Sequence, residues 1–275
     1  MFCSLTSAST DPTTNNMLAQ FRGLVLGDLP WGENDKLLTV LTAEVGKIGI
    51  LLKGGFSLKN KASPACMPLC YAEFVTADRG GRPWVREATP IESFPHLRED
   101  LELTATALYM CDVANEVCLE NAEEGEMLQL MLNTLYALDR GLKDRELIKA
   151  AFEMRVAAVQ GFSPDLVKCA YCGCEESAVM YLDVMDGVIH CEECRRKQNL
   201  ESPREGHTAM LFTLDKPLLD AMRYVCYSNA KKYLAFELPD DAKSVFCEYS
   251  EKYLLNHIDR GFRSLEFLHS LKFLP

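Results

Sequence analysis

Between Met17 and Glu92 the apolar positions recur at the short spacings of strands rather than helices. "FRGLVLGDLP" is a short apolar run ended by Pro30. In "DKLLTVLTAEVGKIGILLKGG", Ile48, Ile50 and Leu52 alternate with Lys47, Gly49, Leu51 and Lys53, which predicts two strands around an "EVGK" turn. "LCYAEFVTADRGGRPWVREA" predicts another pair around "DRGG", where Gly80 and Gly81 supply positive φ. Five short strands in about 75 residues leave no room for crossover helices. That pattern predicts a small closed or partly closed barrel, with an SH3-like barrel as the competitor and a five-stranded oligonucleotide-binding (OB) barrel preferred.

From Glu92 the period changes to about 3.6 residues. "SFPHLREDLELTATALYMCDVANEVCLEN" predicts a helix capped by Ser93, with Leu97, Leu101, Ala105, Leu108 and Asp112 along one stripe. "EGEMLQLMLNTLYALDRG" is a second helix stopped by Gly141. "DRELIKAAFEMRVAAVQGFSP" is a third, ended by Gly161 and Pro164. "TLDKPLLDAMRYVCYSNA", "DDAKSVFCEYSEKYLLNHIDR" and "SLEFLHSLKF" supply three more. The expected architecture is α+β. Residues 1–16 form a polar, disordered tail, 17–92 the OB-type barrel, and 93–275 a helical bundle with a cysteine-rich insert at 165–200. Patterned sequence starts only at Met17, and the preceding residues lack the cationic and apolar stretches of a signal peptide.

The insert holds five of the chain's twelve cysteines within residues 169–194. A disulfide clip, a redox centre and a metal site each fit cysteines in general. With no export signal the expected compartment is reducing, where structural disulfides rarely persist. Cys169-x2-Cys172 and Cys191-x2-Cys194, separated by 18 residues, match the spacing of a four-cysteine zinc site. Two residues between cysteines let both sulfurs reach one ion. "VMYLDVMDGVIH" between the hooks reads as a hairpin turning at Asp186-Gly187, and Gly173 suits the knuckle turn. Cys174 and His190 are alternative ligands, the first off the knuckle phase and the second a flanking residue. Four thiolates would close the ion off from water, making it structural. Cys3, Cys66, Cys70, Cys111, Cys118, Cys226 and Cys247 read as small buried apolar residues.

A net charge of −11 argues at first against a nucleic-acid partner. Its distribution changes that. Residues 17–92 carry nine Lys/Arg against eight Asp/Glu, whereas 93–275 carry 20 against 31. No phosphate-binding glycine loop, zinc-protease helix or nucleophile elbow occurs, and the five histidines form no ligand-spaced pair, so an enzyme is disfavoured. In "KGGFSLKNKAS", Lys53, Lys59 and Lys61 surround Phe56 after a Gly54-Gly55 pair; cations for phosphates and a ring for a base suit single-strand binding. A mobile loop with Phe56 tucked into the barrel is the alternative. Trp84, between Arg82 and Arg86, reads equally as core or half-buried surface. Lys36 and Lys47 complete the candidate DNA contacts. An acidic, zinc-stapled adaptor without DNA binding is the second function class.

"GLVLGDLPWGENDKLLTVLTAEVGKIGILLKGG", "YAEFVTADRGGRPWVREATPIESFPHLREDLE", "GFSPDLVKCAYCGC…HCEEC" and "EKYLLNHIDRGFRSLEFL" together resemble the bacterial recombination mediator RecO family over nearly the whole chain from Met17. The resemblance implies an N-terminal OB barrel, a helical domain and a four-cysteine zinc site at Cys169, Cys172, Cys191 and Cys194. It further implies binding of single- and double-stranded DNA, annealing of complementary strands, and help in loading recombinase with RecR on DNA covered by single-strand-binding protein. No catalytic turnover and a cytoplasmic, nucleoid-associated location go with it.

Overall fold

A computed structural model describes residues 9–10, 17–78, 82–197 and 210–272. The expected tail over 1–16, apart from Ser9 and Thr10, and the Gly80-Gly81 turn lie outside these residues. A short strand β1 (Ser9–Thr10) pairs with the start of β2 (Met17–Trp31). Strands β3 (Asp35–Thr42), β4 (Lys47–Leu52), β5 (Tyr71–Asp78) and β6 (Pro83–Glu92) follow.

β2 pairs antiparallel with β5 over Met17–Leu24 and with β3 over Gly23–Trp31, shifting register between Val25 and Gly27. With β3–β4, β4–β6 and β5–β6 pairings, the five strands β2–β6 close into the expected OB-like barrel. At Gly23, which faces both Thr42 and Ala72, an added Cβ would meet Val40 Cγ1 at 2.4 Å and the Leu41 carbonyl at 2.9 Å, so only glycine fits the crossing. The interior is filled by Val25, Leu38, Val40, Ile50, Phe74 and Val85 among others, with Cys66 and Cys70 as buried small apolar residues. Burial pushes the Cys66 thiol up to about 12. Pro30 does not end the strand, contrary to the sequence expectation. It pairs opposite Lys36 beyond the last β5 partner, Leu24, where one strand edge is open and a missing N–H is tolerated.

Ser93 is no helix cap. Its N–H and that of Phe94 donate to Glu92 Oε1, Phe94 turns left-handed (φ 47°), and Pro95–Arg98 form a 3-10 turn. Helix α1 (Leu101–Val117) starts two residues later under Asp100, whose carboxylate accepts the Leu103 N–H at 2.9 Å. The predicted stripe therefore begins outside the helix, at Leu97. Leu101 and Leu108 are exposed, and the buried face runs through Thr106, Tyr109, Met110, Val113 and Ala114. Helices α2 (Gly125–Asp139) and α3 (Arg145–Val159) end as expected, with Gly141 and Gly161 at positive φ.

By contacts the chain forms two compact units, Met1–Arg140 with Phe262–Pro275, and Gly141–Gly261. The first thus gathers the barrel, α1, α2 and the last helix, α7 (Arg263–Leu271), which packs on α1. In it the β3–β4 turn is stitched to the α1–α2 connection. Lys47 N–H donates to the Leu119 carbonyl, Asn121 N–H to Val45 and Glu124 N–H to Ala43, all within 2.9–3.0 Å. Gly46 sits at φ 65°, where a Cβ would come within 2.2 Å of the Leu119 carbonyl. The second unit holds α3, a three-stranded sheet of β7 (Met180–Asp183), β8 (Val188–Cys191) and β9 (Leu211–Leu214), a short α4 (Glu192–Lys197), α5 (Lys216–Tyr227) and α6 (Asp240–Ile258). Thr213 and Leu214, expected in a helix, belong to β9; α5 begins after Asp215, whose side chain accepts the Leu218 N–H.

Between α3 and α6, Lys149 Nζ lies 2.7 Å from Glu153 Oε1 and 2.6 Å from Glu251 Oε2, with Lys149 11% and Glu153 0% exposed at the side chain. Burial alone would lower the ammonium's pKa. The two carboxylates outweigh it and hold the pKa above its ordinary value.

Gly46→Ala is expected to destabilise the protein by about 2–4 kcal/mol in chemical denaturation, adding a steric clash to the left-handed penalty. Gly54→Ala, at φ 61° with nothing within 4 Å, carries only the penalty and should lose about 1–2 kcal/mol. Lys149→Met strands a buried carboxylate and should lose about 3–5 kcal/mol.

Candidate metal centre and nucleic-acid interface

The cysteine segment is built as its spacing predicts. β7 and β8 form the hairpin, closed by a turn in which Asp183 Oδ1 accepts the N–H groups of Met185 and Asp186 and Gly187 takes φ 66°. β8 delivers Cys191 and α4 delivers Cys194. In the first knuckle Gly173 (φ 73°) donates to the Cys169 carbonyl at 2.9 Å, and Cys169 N–H donates to Cys174 at 2.8 Å. Arg223 on α5 fixes the chain on both sides, donating to the carbonyls of Leu166, Val167 and Glu175 at 2.8–2.9 Å. The guanidinium of Arg195 lies 4.0 Å from the Tyr181 ring centroid, bracing α4 on β7.

The ligand sulfurs of Cys169, Cys172, Cys191 and Cys194 lie within 4.8 Å of one another. A tetrahedral ion with metal–sulfur bonds of about 2.3 Å requires sulfurs roughly 3.8 Å apart. Cys172 Sγ and Cys191 Sγ are 3.7 Å apart, so the four thiols fit a structural metal. Backbone donors point inward as well: Cys191 N–H to Cys169 Sγ and Cys194 N–H to Cys191 Sγ, each at 3.4 Å. Burial would raise the Cys169 thiol, but N–H groups of Cys172, Cys191 and Tyr171 bring it down to about 6, toward the thiolate that a metal needs. The Cys174 N–H lowers Cys172 likewise. Burial first, and then Cys172 and Cys191, push Cys174 up to about 12, and burial followed by the neighbouring cysteines raises Cys194 in the same way, so it is the sulfur positions that single out the four ligands. His190 lies on β8 with its ring stacked on Tyr171 at 4.9 Å. Among the described residues this is the one group of three or more potential metal ligands. Cys111, Cys118 and Cys226 are buried and Cys247 half-buried, while Cys3 lies outside the described residues.

The basic candidates fall into three places. Lys36, Lys53 and Arg82 each sit over an aromatic ring: Lys36 5.1 Å from Phe56, Lys53 4.4 Å from Trp84, and Arg82 4.5 Å from Trp31. Chain connections tie these pairs to one end of the barrel. Trp31 opposes Asp35 beside Lys36, Lys36 opposes Leu52 beside Lys53, and Leu51 pairs with Trp84, two residues from Arg82. Lys36 also bridges to Asp28 at 2.6 Å. Lys59 and Lys61 are exposed on the loop leaving this end, with Phe56 52% exposed rather than tucked inside. That loop is ordered by Asn60, whose side chain donates to the Lys53 and Gly54 carbonyls, and by Asp35, which accepts the Gly54 N–H. Arg86 is exposed farther along β6. Lys47 stands at the other end of β4 and donates to the Asn115 carbonyl near the C-terminus of α1, a role in packing. Trp31, 41% exposed, is the residue that sequence reasoning passed over.

None of the described helices is long and apolar enough to cross a membrane. The family model "Recombination protein O N terminal" matches residues 17–94, and "Recombination protein O C terminal" matches 98–266. The chain is 28% identical over 249 residues to the DNA repair protein RecO of Acetivibrio thermocellus, covering 90% of this chain and 95% of that protein. It is 30% identical over 198 residues to DNA repair protein RecO of Bacillus pumilus, covering 72% and 77%. It is 32% identical over 178 residues to that of Dehalococcoides mccartyi, covering 64% and 70%. With the matching barrel, helices and cysteine cluster, these findings mean that the chain belongs to the recombination protein O (RecO) family.

Proposed function

We propose that this DNA repair protein acts as a recombination mediator. It binds single- and double-stranded DNA, anneals complementary strands, and assists recombinase loading with RecR on strands covered by single-strand-binding protein. Its place of action is the cytoplasm, at the nucleoid. The observation carrying this reading is the gathering of Lys36, Lys53 and Arg82, with Lys59 and Lys61 on the adjoining loop, around one end of the barrel. Annealing needs two strands brought close with charge neutralised and base edges left to pair. Lysines on phosphates lower strand repulsion without reading sequence. No catalytic role is assigned to any residue.

For the four cysteines we propose one structural zinc per chain. Four thiolates leave no coordination position for water or substrate, so the ion braces a hairpin too small for a core of its own. The acidity beyond residue 92 favours a second reading, an adaptor whose barrel meets protein rather than DNA.

A gel shift with oligo-dT at low salt separates the readings, since an adaptor gives no shifted band. Strand annealing of two short complementary oligonucleotides, with and without single-strand-binding protein, is expected to be accelerated by the protein in both cases. Lys59→Glu with Lys61→Glu should lower single-strand affinity at least about tenfold and reduce the slope of log affinity against log salt by about 1.4, the value for two lost phosphate contacts. Plasma mass spectrometry of purified protein is expected to find one zinc per chain, and Cys191→Ser to abolish it; well under one in the parent chain would remove the zinc assignment.

A further inference from the structure

The three aromatic rings at the barrel end are covered in the same way although they come from separate segments. Trp31 ends β2, Phe56 lies on the loop after β4 and Trp84 is the second residue of β6. None belongs to the barrel's interior cluster, so packing does not require aromatic residues there. Isolated exposed rings are ordinary on protein surfaces. Three rings at one end, each with a cation within 4.4–5.1 Å of its centroid, form a repeated unit. A cation over an exposed ring is held weakly, because water competes for its charge. A phosphate is the stronger partner for it, and a ring face stripped of its cation is a stacking surface for a nucleobase.

Resting on the DNA-binding reading above, we propose that Trp31, Phe56 and Trp84 are stacking platforms for unpaired bases, each kept covered by its own cation until a nucleic-acid strand arrives. On binding, Arg82, Lys36 and Lys53 swing from ring to phosphate, and a base takes the vacated face. Each unit then supplies one charge contact and one stacked base. The ligand class is a single strand of about three nucleotides at this end, without sequence preference, because every base offers a π-face. Paired bases, stacked inside a duplex, cannot enter. Lys36 is the least free of the three, since Asp28 competes with phosphate for it.

The test uses the full chain and exploits its tryptophan count. The two tryptophans are Trp31 and Trp84, so fluorescence excited at wavelengths that the ten tyrosines do not absorb reports on this site alone. Titration with oligo-dT is expected to quench that fluorescence. An abasic strand of equal length and phosphate number should bind at least about tenfold more weakly and leave fluorescence nearly unchanged. Phe56→Leu, at an exposed position, should weaken oligo-dT roughly five- to tenfold and leave abasic-strand affinity unaltered. Equal affinities for the two strands with unchanged fluorescence would overturn the stacking proposal while leaving DNA binding intact. Failure of both strands to bind at low salt would remove the DNA reading together with it.

Discussion

The barrel depends on one strand serving two partners. β2 hydrogen-bonds to β5 through its first half and to β3 through its second, and the exchange happens at Gly23, where β3 comes so close that a methyl group has no room. The exchange closes the sheet over most of its length. It also leaves the last residues of β2 paired on one side alone. That is why Pro30 is tolerated there, and why Trp31 extends past the barrel wall instead of being drawn into it. The same geometry that closes the core thus exposes a ring for Arg82 to cover.

What could be read in advance followed the range of the interactions involved. The two cysteine hooks and the Asp186-Gly187 turn are local devices, set by a few bonds of chain, and the structure reproduces them. Helix ends at Gly141 and Gly161 are local too. The start of α1 was misplaced because Ser93 and Asp100 are both acceptable caps. The choice fell to Phe94, whose left-handed turn no periodicity reveals. β9 was hidden for a different reason. "LFTL" runs straight into the α5 cap, and only pairing with β7 makes it a strand. Trp31 was missed because its partner, Arg82, is 51 residues away in sequence, and nothing local marks the pair.

Lys47 and Lys53 illustrate how the same residue type parts ways across a single strand. They bracket β4, yet Lys47 donates to a carbonyl near the end of α1, where the helix dipole favours a cation, and Lys53 lies over Trp84. Charge counting treats them as equal members of a basic segment. Packing makes one a tether and leaves the other available.

The strand also bears on the apparent conflict between an acidic protein and a polyanionic ligand. In the barrel unit the turn before β4 is stitched to the α1–α2 connection, "LENAEEGE", which carries Glu120, Glu123, Glu124 and Glu126. The cation–aromatic pairs lie at the strand's other end. Six residues of β4 separate the two ends by about 17 Å. That distance is roughly twice the Debye length at physiological salt, so those carboxylates are largely screened from a phosphate at the rings. At low ionic strength the screening length grows past the strand's own length, and the carboxylates are felt. The barrel's repulsive charge therefore weakens with added salt alongside its attractive charge. Under the stacking proposal, the three rings, whose hold on bases salt does little to alter, account for a growing share of the affinity as ionic strength rises.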